Sequence, residues 1–142
     1  MTNTSPFPSP DAWLEHRVSY GETDGMGVVY YAEYLHFFER SRSLLIRERG
    51  MSYAEVERRG VLLPVVEAGC KYRAPARFDD LIWVRTGISE WNRVTVRFVY
   101  EIHNEARNKI LATGFTEHAC LSPTGKILRV PEWLRSLFLP ET

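Results

Sequence analysis

Three glycines fall within the seven residues 21–27, Gly21-Glu22-Thr23-Asp24-Gly25-Met26-Gly27, and a long apolar, aromatic stretch follows at once. Glycine tolerates backbone conformations that other residues avoid, so this segment is expected to be a tight turn. The stretch over 28–49 predicts one helix, with Gly50 as its C-terminal cap. At about 100° per residue, Tyr31, Tyr34, Leu35, Phe38, Leu45 and Ile46 share one side, widened by Tyr30, Phe37 and Leu44. Glu33, His36, Arg40, Ser43 and Arg47 form the opposite, polar stripe. An apolar arc wider than half the circumference needs more cover than a surface helix receives. The helix should therefore lie deep against a sheet.

The remaining pattern supplies that sheet. A short strand is expected over 15–20 and longer ones over 66–74, 81–90, 94–102 and 109–121, with period-two alternation clearest in the second, third and fourth. Short helices are expected over 52–59, where Ser52 and Glu55 suggest a capping box, and over 131–138. One antiparallel sheet around one central helix is the economical packing, an α+β class. Covered on one face only, such a sheet leaves Trp83, Val99 and Phe115 as outer-face candidates for burial, which association of copies would provide.

The 142 residues fit one domain, expected over 13–142 behind a flexible leader over 1–12 that has neither a basic n-region nor a long apolar run. Lys plus Arg equals Asp plus Glu at 18 each, which argues against nucleic-acid binding and does little to discourage self-association. No membrane span is expected. Cys70 and Cys120 form no CxxC pair, nothing demands an oxidising compartment, and a cytoplasmic location is expected. His16, His36, His103 and His118 lack metal-ligand spacing, so no metal is expected. There is no GxSxG elbow, Walker loop, HExxH or GxGxxG after a strand.

The chemistry is expected at the glycine-rich turn. A helix N-terminus offers free N–H donors and partial positive charge, which polarise a carbonyl and stabilise the oxyanion formed on attack. A carboxylate folded back by glycines could act across that carbonyl as nucleophile or general base. Thioesters suit this equipment because a thiolate leaves with little acid assistance. An aspartate before a helix also serves as a simple cap, and the local sequence leaves both readings open.

The segment Tyr20, Glu22-Thr23-Asp24, Gly27-Val28-Val29-Tyr30, Tyr34-Leu35 and Phe37-Phe38-Glu39-Arg40-Ser41-Arg42 resembles the signature of hotdog-fold acyl-CoA thioesterases of the 4-hydroxybenzoyl-CoA thioesterase type. Leu63-Pro64-Val65-Val66-Glu67, the run from Tyr72 to Asp80 and Leu128-Arg129-Val130-Pro131-Glu132 resemble further family segments. The resemblance spans about residues 15–137 and implies a central helix wrapped by a five- or six-stranded antiparallel sheet. It implies an acyl-CoA substrate, Asp24 as the catalytic carboxylate and the Tyr31 backbone N–H as oxyanion donor. Many relatives carry histidine where this chain has Tyr31, so any help from that side chain is absent here.

Glu39 is the competing carboxylate, with an ion pair to Arg42 at i+3 as its structural explanation. Tyr30, Tyr34 and Val66 are candidates to line an acyl pocket; Arg93 and Arg129 are candidates for the coenzyme A phosphates. No cofactor is implied. A homodimer or homotetramer with shared sites is expected. The alternatives are a non-catalytic hotdog protein that binds acyl-CoA or acyl carrier protein, and a hydratase. The latter needs a histidine facing the substrate, which the turn and helix do not supply.

Overall fold

The computed structural model describes residues 6–139. Strand β1 (Asp11–Arg17) leads through a single 3-10 turn (Tyr20–Glu22) to helix α1 (Glu33–Glu48), followed by the short helix α2 (Tyr53–Arg58). Strands β2 (Val65–Tyr72), β3 (Leu81–Trp91), β4 (Thr95–His103) and β5 (Ile110–Ala119) complete the sheet, and α3 (Glu132–Ser136) closes the chain. The sheet is antiparallel throughout, five strands in the order β1-β3-β4-β5-β2. This is the α+β, hotdog-type architecture expected from the sequence.

α1 begins five residues later than its periodicity suggests, because the β-branched pair Val28-Val29 is recruited into extended structure. Val29 bridges Thr23, Val28 bridges Arg77, and the Val29 N–H donates to the Ala76 carbonyl at 2.8 Å. At the other end, Gly50 adopts φ 102° and the N–H groups of Gly50 and Met51 return to the carbonyls of Arg47 and Ile46. That pattern satisfies two terminal carbonyls, as a Schellman cap does. Ser52 caps α2 as expected, its Oγ accepting the Glu55 N–H at 3.1 Å.

The leader expected over 1–12 also needs correcting. Asp11 and Ala12 already pair with β3, Ala12 is buried, and Phe7 lies under the Arg85 guanidinium at 4.2 Å. Residues 1–5 lie outside the described residues. Among the described residues no helix is long and apolar enough to cross a membrane.

Phe37, Phe38, Leu45 and Ile46 of α1 are buried against Ile82, Val84, Phe98, Tyr100 and Ile102. Helix and sheet approach closely at Gly114, where the Phe38 ring stacks flat on Tyr100, centroids 4.2 Å apart and planes 9° apart. The outer face solves its exposure locally: Arg107 lies 3.8 Å over Trp83 and Arg97 lies 4.0 Å over Phe115. Guanidinium planes cover these rings while keeping contact with water. β2 is different. It pairs only with β5, and Val65, Val66, Glu67, Ala68, Lys71 and Tyr72 are exposed.

A Cβ at Gly114 would sit 2.5 Å from Phe38 and 2.7 Å from the Gly69 carbonyl oxygen. Gly114→Ala should therefore push α1 off the sheet and cost ~1–3 kcal/mol, as overpacking does. Urea unfolding measures it; wild-type stability would mean that the helix has slack at this point.

Candidate functional site

The turn before α1 is a small hairpin. The Tyr30 N–H donates to the Glu22 carbonyl, Thr23 bridges Val29, and the Asp24 N–H donates to the Val28 carbonyl at 2.9 Å. Gly27, at φ 78°, makes the reversal. The Asp24 carboxylate lies over this turn: Oδ1 accepts the Met26 N–H at 2.8 Å and, weakly, the Val28 N–H at 3.4 Å. The side chain therefore braces the hairpin turn and does not cap α1, whose N-cap position is Ala32. Among the described residues Oδ2 has no donor, and Asp24 is exposed.

Glu22 has a separate task. It accepts the Ser19 N–H at 2.8 Å and faces His16 Nε2 at 2.8 Å, while Arg40 Nη1 lies 3.0 Å from His16 Nδ1. A guanidinium only donates, so Nδ1 is the acceptor and Nε2–H points at Glu22. The chain Arg40 to His16 to Glu22 ties the third turn of α1 to the hairpin's entry. Burial alone would raise the Glu22 pKa, but the bonds from Ser19 and His16 outweigh it and hold it below the ordinary carboxylate value. The histidine and arginine partners went unseen in the sequence, where they are 6 and 24 residues from their targets.

Of the expected site residues, Tyr31 lies just before α1, 61% exposed, its ring 4.6 Å from that of Tyr30. Tyr30 is also exposed, and interaction with the Tyr31 phenol raises its pKa. Within the described residues the Tyr31 and Ala32 N–H groups have no protein acceptor, so they are free donors at the helix start. The Tyr31 carbonyl accepts the Tyr72 hydroxyl at 2.9 Å, which ties the helix start to the far end of β2. Tyr34 is buried, edge-on to Tyr72. Tyr31, Tyr34, Tyr72 and Val28 line a shallow depression of about 260 Å³. Val66 is not part of it. A bulge between Val65 and Glu67 leaves Val66 as the extra residue, 61% exposed.

Arg93 and Arg129 come together in a cleft of about 320 Å³, and Arg135, which the sequence did not single out, joins them. Among the described residues none of the three forms an ion pair. The cleft lies where β3 turns into β4. The Asp24 hairpin lies at the opposite end of β3, where Leu81 pairs with Arg17. Eleven residues of strand separate these ends by roughly 35 Å.

The Glu39–Arg42 pair expected on α1 does not form. Glu39 turns outward, 62% exposed, with His36 Nδ1 at 3.7 Å, whereas Arg42 turns inward and its Nη1 reaches the Tyr100 hydroxyl at 3.5 Å. The pocket beneath Arg42 draws the longer side chain in.

A profile of the Thioesterase-like superfamily matches residues 18–138. The chain belongs to this superfamily. Among curated superfamily relatives, the acyl-CoA thioester hydrolase YbgC of Escherichia coli O6:H1 is 34% identical over 107 residues, covering 75% of this chain and 79% of that protein. The acyl-CoA thioesterase YbgC of Haemophilus influenzae is 32% identical over 125 residues, 86% and 90% of the two chains. The solved structure of DHNA-CoA thioesterase from Staphylococcus aureus superposes with a TM-score of 0.82 at 31% identity, covering 89% and 87%.

The depressed pKa of Glu22 carries a sign. Its stabilisation is present above the ordinary glutamate range and is lost as pH falls through the lowered native value. Glu22→Gln should cost ~1–3 kcal/mol near pH 7, and the gap from wild type should close as acidification passes below the ordinary glutamate range. Urea unfolding at stepped pH measures this; a gap constant with pH would remove Glu22 as the titrating partner.

Proposed function

We propose that the protein hydrolyses acyl-CoA thioesters to the free acid and coenzyme A, as an enzyme of the 4-hydroxybenzoyl-CoA thioesterase type. The observation that carries the reading is a hairpin that holds an exposed carboxylate, followed seven residues on by free N–H donors ahead of α1. The names of the YbgC relatives support the substrate class.

In this reading the Tyr31 N–H binds the thioester carbonyl oxygen and stabilises the negative charge that builds there. Asp24 then acts in one of two ways. As nucleophile, Oδ2 attacks the carbonyl carbon, the C–S bond breaks, coenzyme A leaves as thiolate, and water hydrolyses the mixed anhydride. As general base, Asp24 takes a proton from the water that attacks, and that proton then reaches the departing thiolate. Oδ1 stays on the Met26 N–H in both routes, which holds the carboxylate in place. Arg93 and Arg129, with Arg135, provide positive charge for the coenzyme A phosphates. Tyr30, Tyr34 and Val66 remain candidates for acyl contacts.

A second copy completes this arrangement. β2 is an open edge, and a two-fold axis through its middle sets the Val65 end of one copy beside the Tyr72 end of the other. That pairing sets each Val65 end, at the same end of the sheet as the arginine cleft, beside the partner's Tyr72 end, where the helix start is tied. We place the protein as a homodimer, or a tetramer built from it, in the cytoplasm. Sedimentation at micromolar concentration should show a dimer or larger species; a clean monomer with full turnover would overturn the assembly.

Asp24→Asn keeps size and the Met26 bond but removes the charge. Thiol release from acyl-CoAs should fall at least ~10²-fold with substrate binding nearly unchanged. Tyr31→Phe should stay within tenfold on the same scale, since only its backbone is used. Glu39→Gln should be mild. The assignment to Asp24 fails if Asp24→Asn stays within a few-fold of wild type while Glu39→Gln is inactive.

A further inference from the structure

Arg42 opens into a second cavity, of about 220 Å³, between α1 and the Val65 end of β2, lined by Arg42, Ser43, Tyr53, Leu63, Val65 and His118. Its floor is a chain of hydrogen bonds that runs one way. His118 Nδ1 lies 2.8 Å from the Leu63 carbonyl, which only accepts, so Nδ1 carries the proton and Nε2 is an acceptor. Thr116 Oγ1 therefore donates to Nε2 at 2.8 Å, the Tyr100 hydroxyl donates to Thr116 at 2.6 Å, and Arg42 donates to Tyr100. Each hydroxyl gives one bond and takes one.

That directionality decides the charge of the cavity. Burial, with the nearby Arg42 charge, pushes the His118 pKa down to about 4, so the imidazole is neutral near pH 7. Threonine and tyrosine are neutral too. Glu39 reaches the rim but faces His36 and water. Among the described residues Arg42 has no carboxylate partner. Its one bond is long and leaves most of its five donors unused. A half-buried guanidinium without a counter-charge is costly unless a ligand supplies one.

We propose that this cavity receives the far end of the acyl group, and that Arg42 selects acyl groups ending in a carboxylate. The proposal rests on the thioesterase reading and on the two-fold pairing through β2. Within one chain Arg42 lies nine residues beyond the start of α1, about 14 Å along the helix and too far for a short acyl chain. Across the two-fold axis, however, the Val65 end that borders the cavity meets the partner's Tyr72, whose hydroxyl holds the Tyr31 carbonyl. The size fits: a cavity of ~150 Å³ holds benzene, so about 220 Å³ admits a short chain or single ring with its carboxylate.

The test compares kcat/KM for glutaryl-CoA and adipyl-CoA with pentanoyl-CoA and hexanoyl-CoA, in wild type, Arg42→Lys and Arg42→Met. Wild type should favour the carboxylated member of each pair by about 10- to 100-fold, the scale of a charge-assisted hydrogen bond. Arg42→Met should abolish that preference while changing the plain esters only a few-fold, and Arg42→Lys should keep part of it. Active wild type with no preference in either pair overturns the inference and leaves the thioesterase reading standing. An equal loss of all four substrates in Arg42→Met, with circular dichroism unchanged, also overturns it, since a merely structural role predicts that result. No thiol release from any ester in wild type overturns the functional reading and this inference together.

Discussion

The Phe38 ring lies flat on Tyr100 above a residue without a side chain, and the position of α1 depends on that contact. Stacked rings at van der Waals distance allow little adjustment, so the helix axis is held at a set height over the sheet. The free N–H groups at the helix start, and Arg42 one turn beyond Phe38, take their positions from the same contact. Tyr100 joins the two regions directly. One face of its ring carries the helix, and its hydroxyl orders the chain that leads through Thr116 to His118.

The architecture was legible because its signals are repetitive. Alternation along β3 and β4, and an aromatic arc along α1, each repeat a preference many times. The hairpin was legible as a turn, but the start of α1 was not, because Val28 and Val29 suit helix periodicity and extended pairing equally well. What decided between them was Ala76, whose carbonyl takes the Val29 N–H from 47 residues away. The same limit explains Glu39 and Arg42. Helical spacing favours their pairing, but the pocket that draws Arg42 inward is built from α2, β2, β4 and β5.

The site residues show that divide more sharply. Asp24 was singled out through local chemistry, since glycines and a carboxylate fall together in the stretch that precedes the helix. Arg93 and Arg129 were named singly, and their shared cleft exists only because the β3–β4 turn meets the C-terminal segment, where the Val130 N–H bonds the Arg93 carbonyl at 2.8 Å. Arg135 sits on α3, a five-residue helix with little pattern of its own, and so escaped notice. Val66 leaves the alternation of β2 through one bulge, a single extra residue that period-two patterning does not foresee.

A sheet with two open edges faces a choice between closing and growing. β1 and β2 are its two edges, and β1 carries Asp11, Glu15 and Arg17 among its seven residues, whereas β2 carries Glu67 and Lys71 among eight. Pairing of β2 with β2 about a two-fold axis would consume both copies of one edge and stop, whereas β1 on β2 would repeat without end. The charges along β1 weigh against that second mode. The distribution of charge between two strands at opposite ends of the sheet would thus favour a finite particle over a filament.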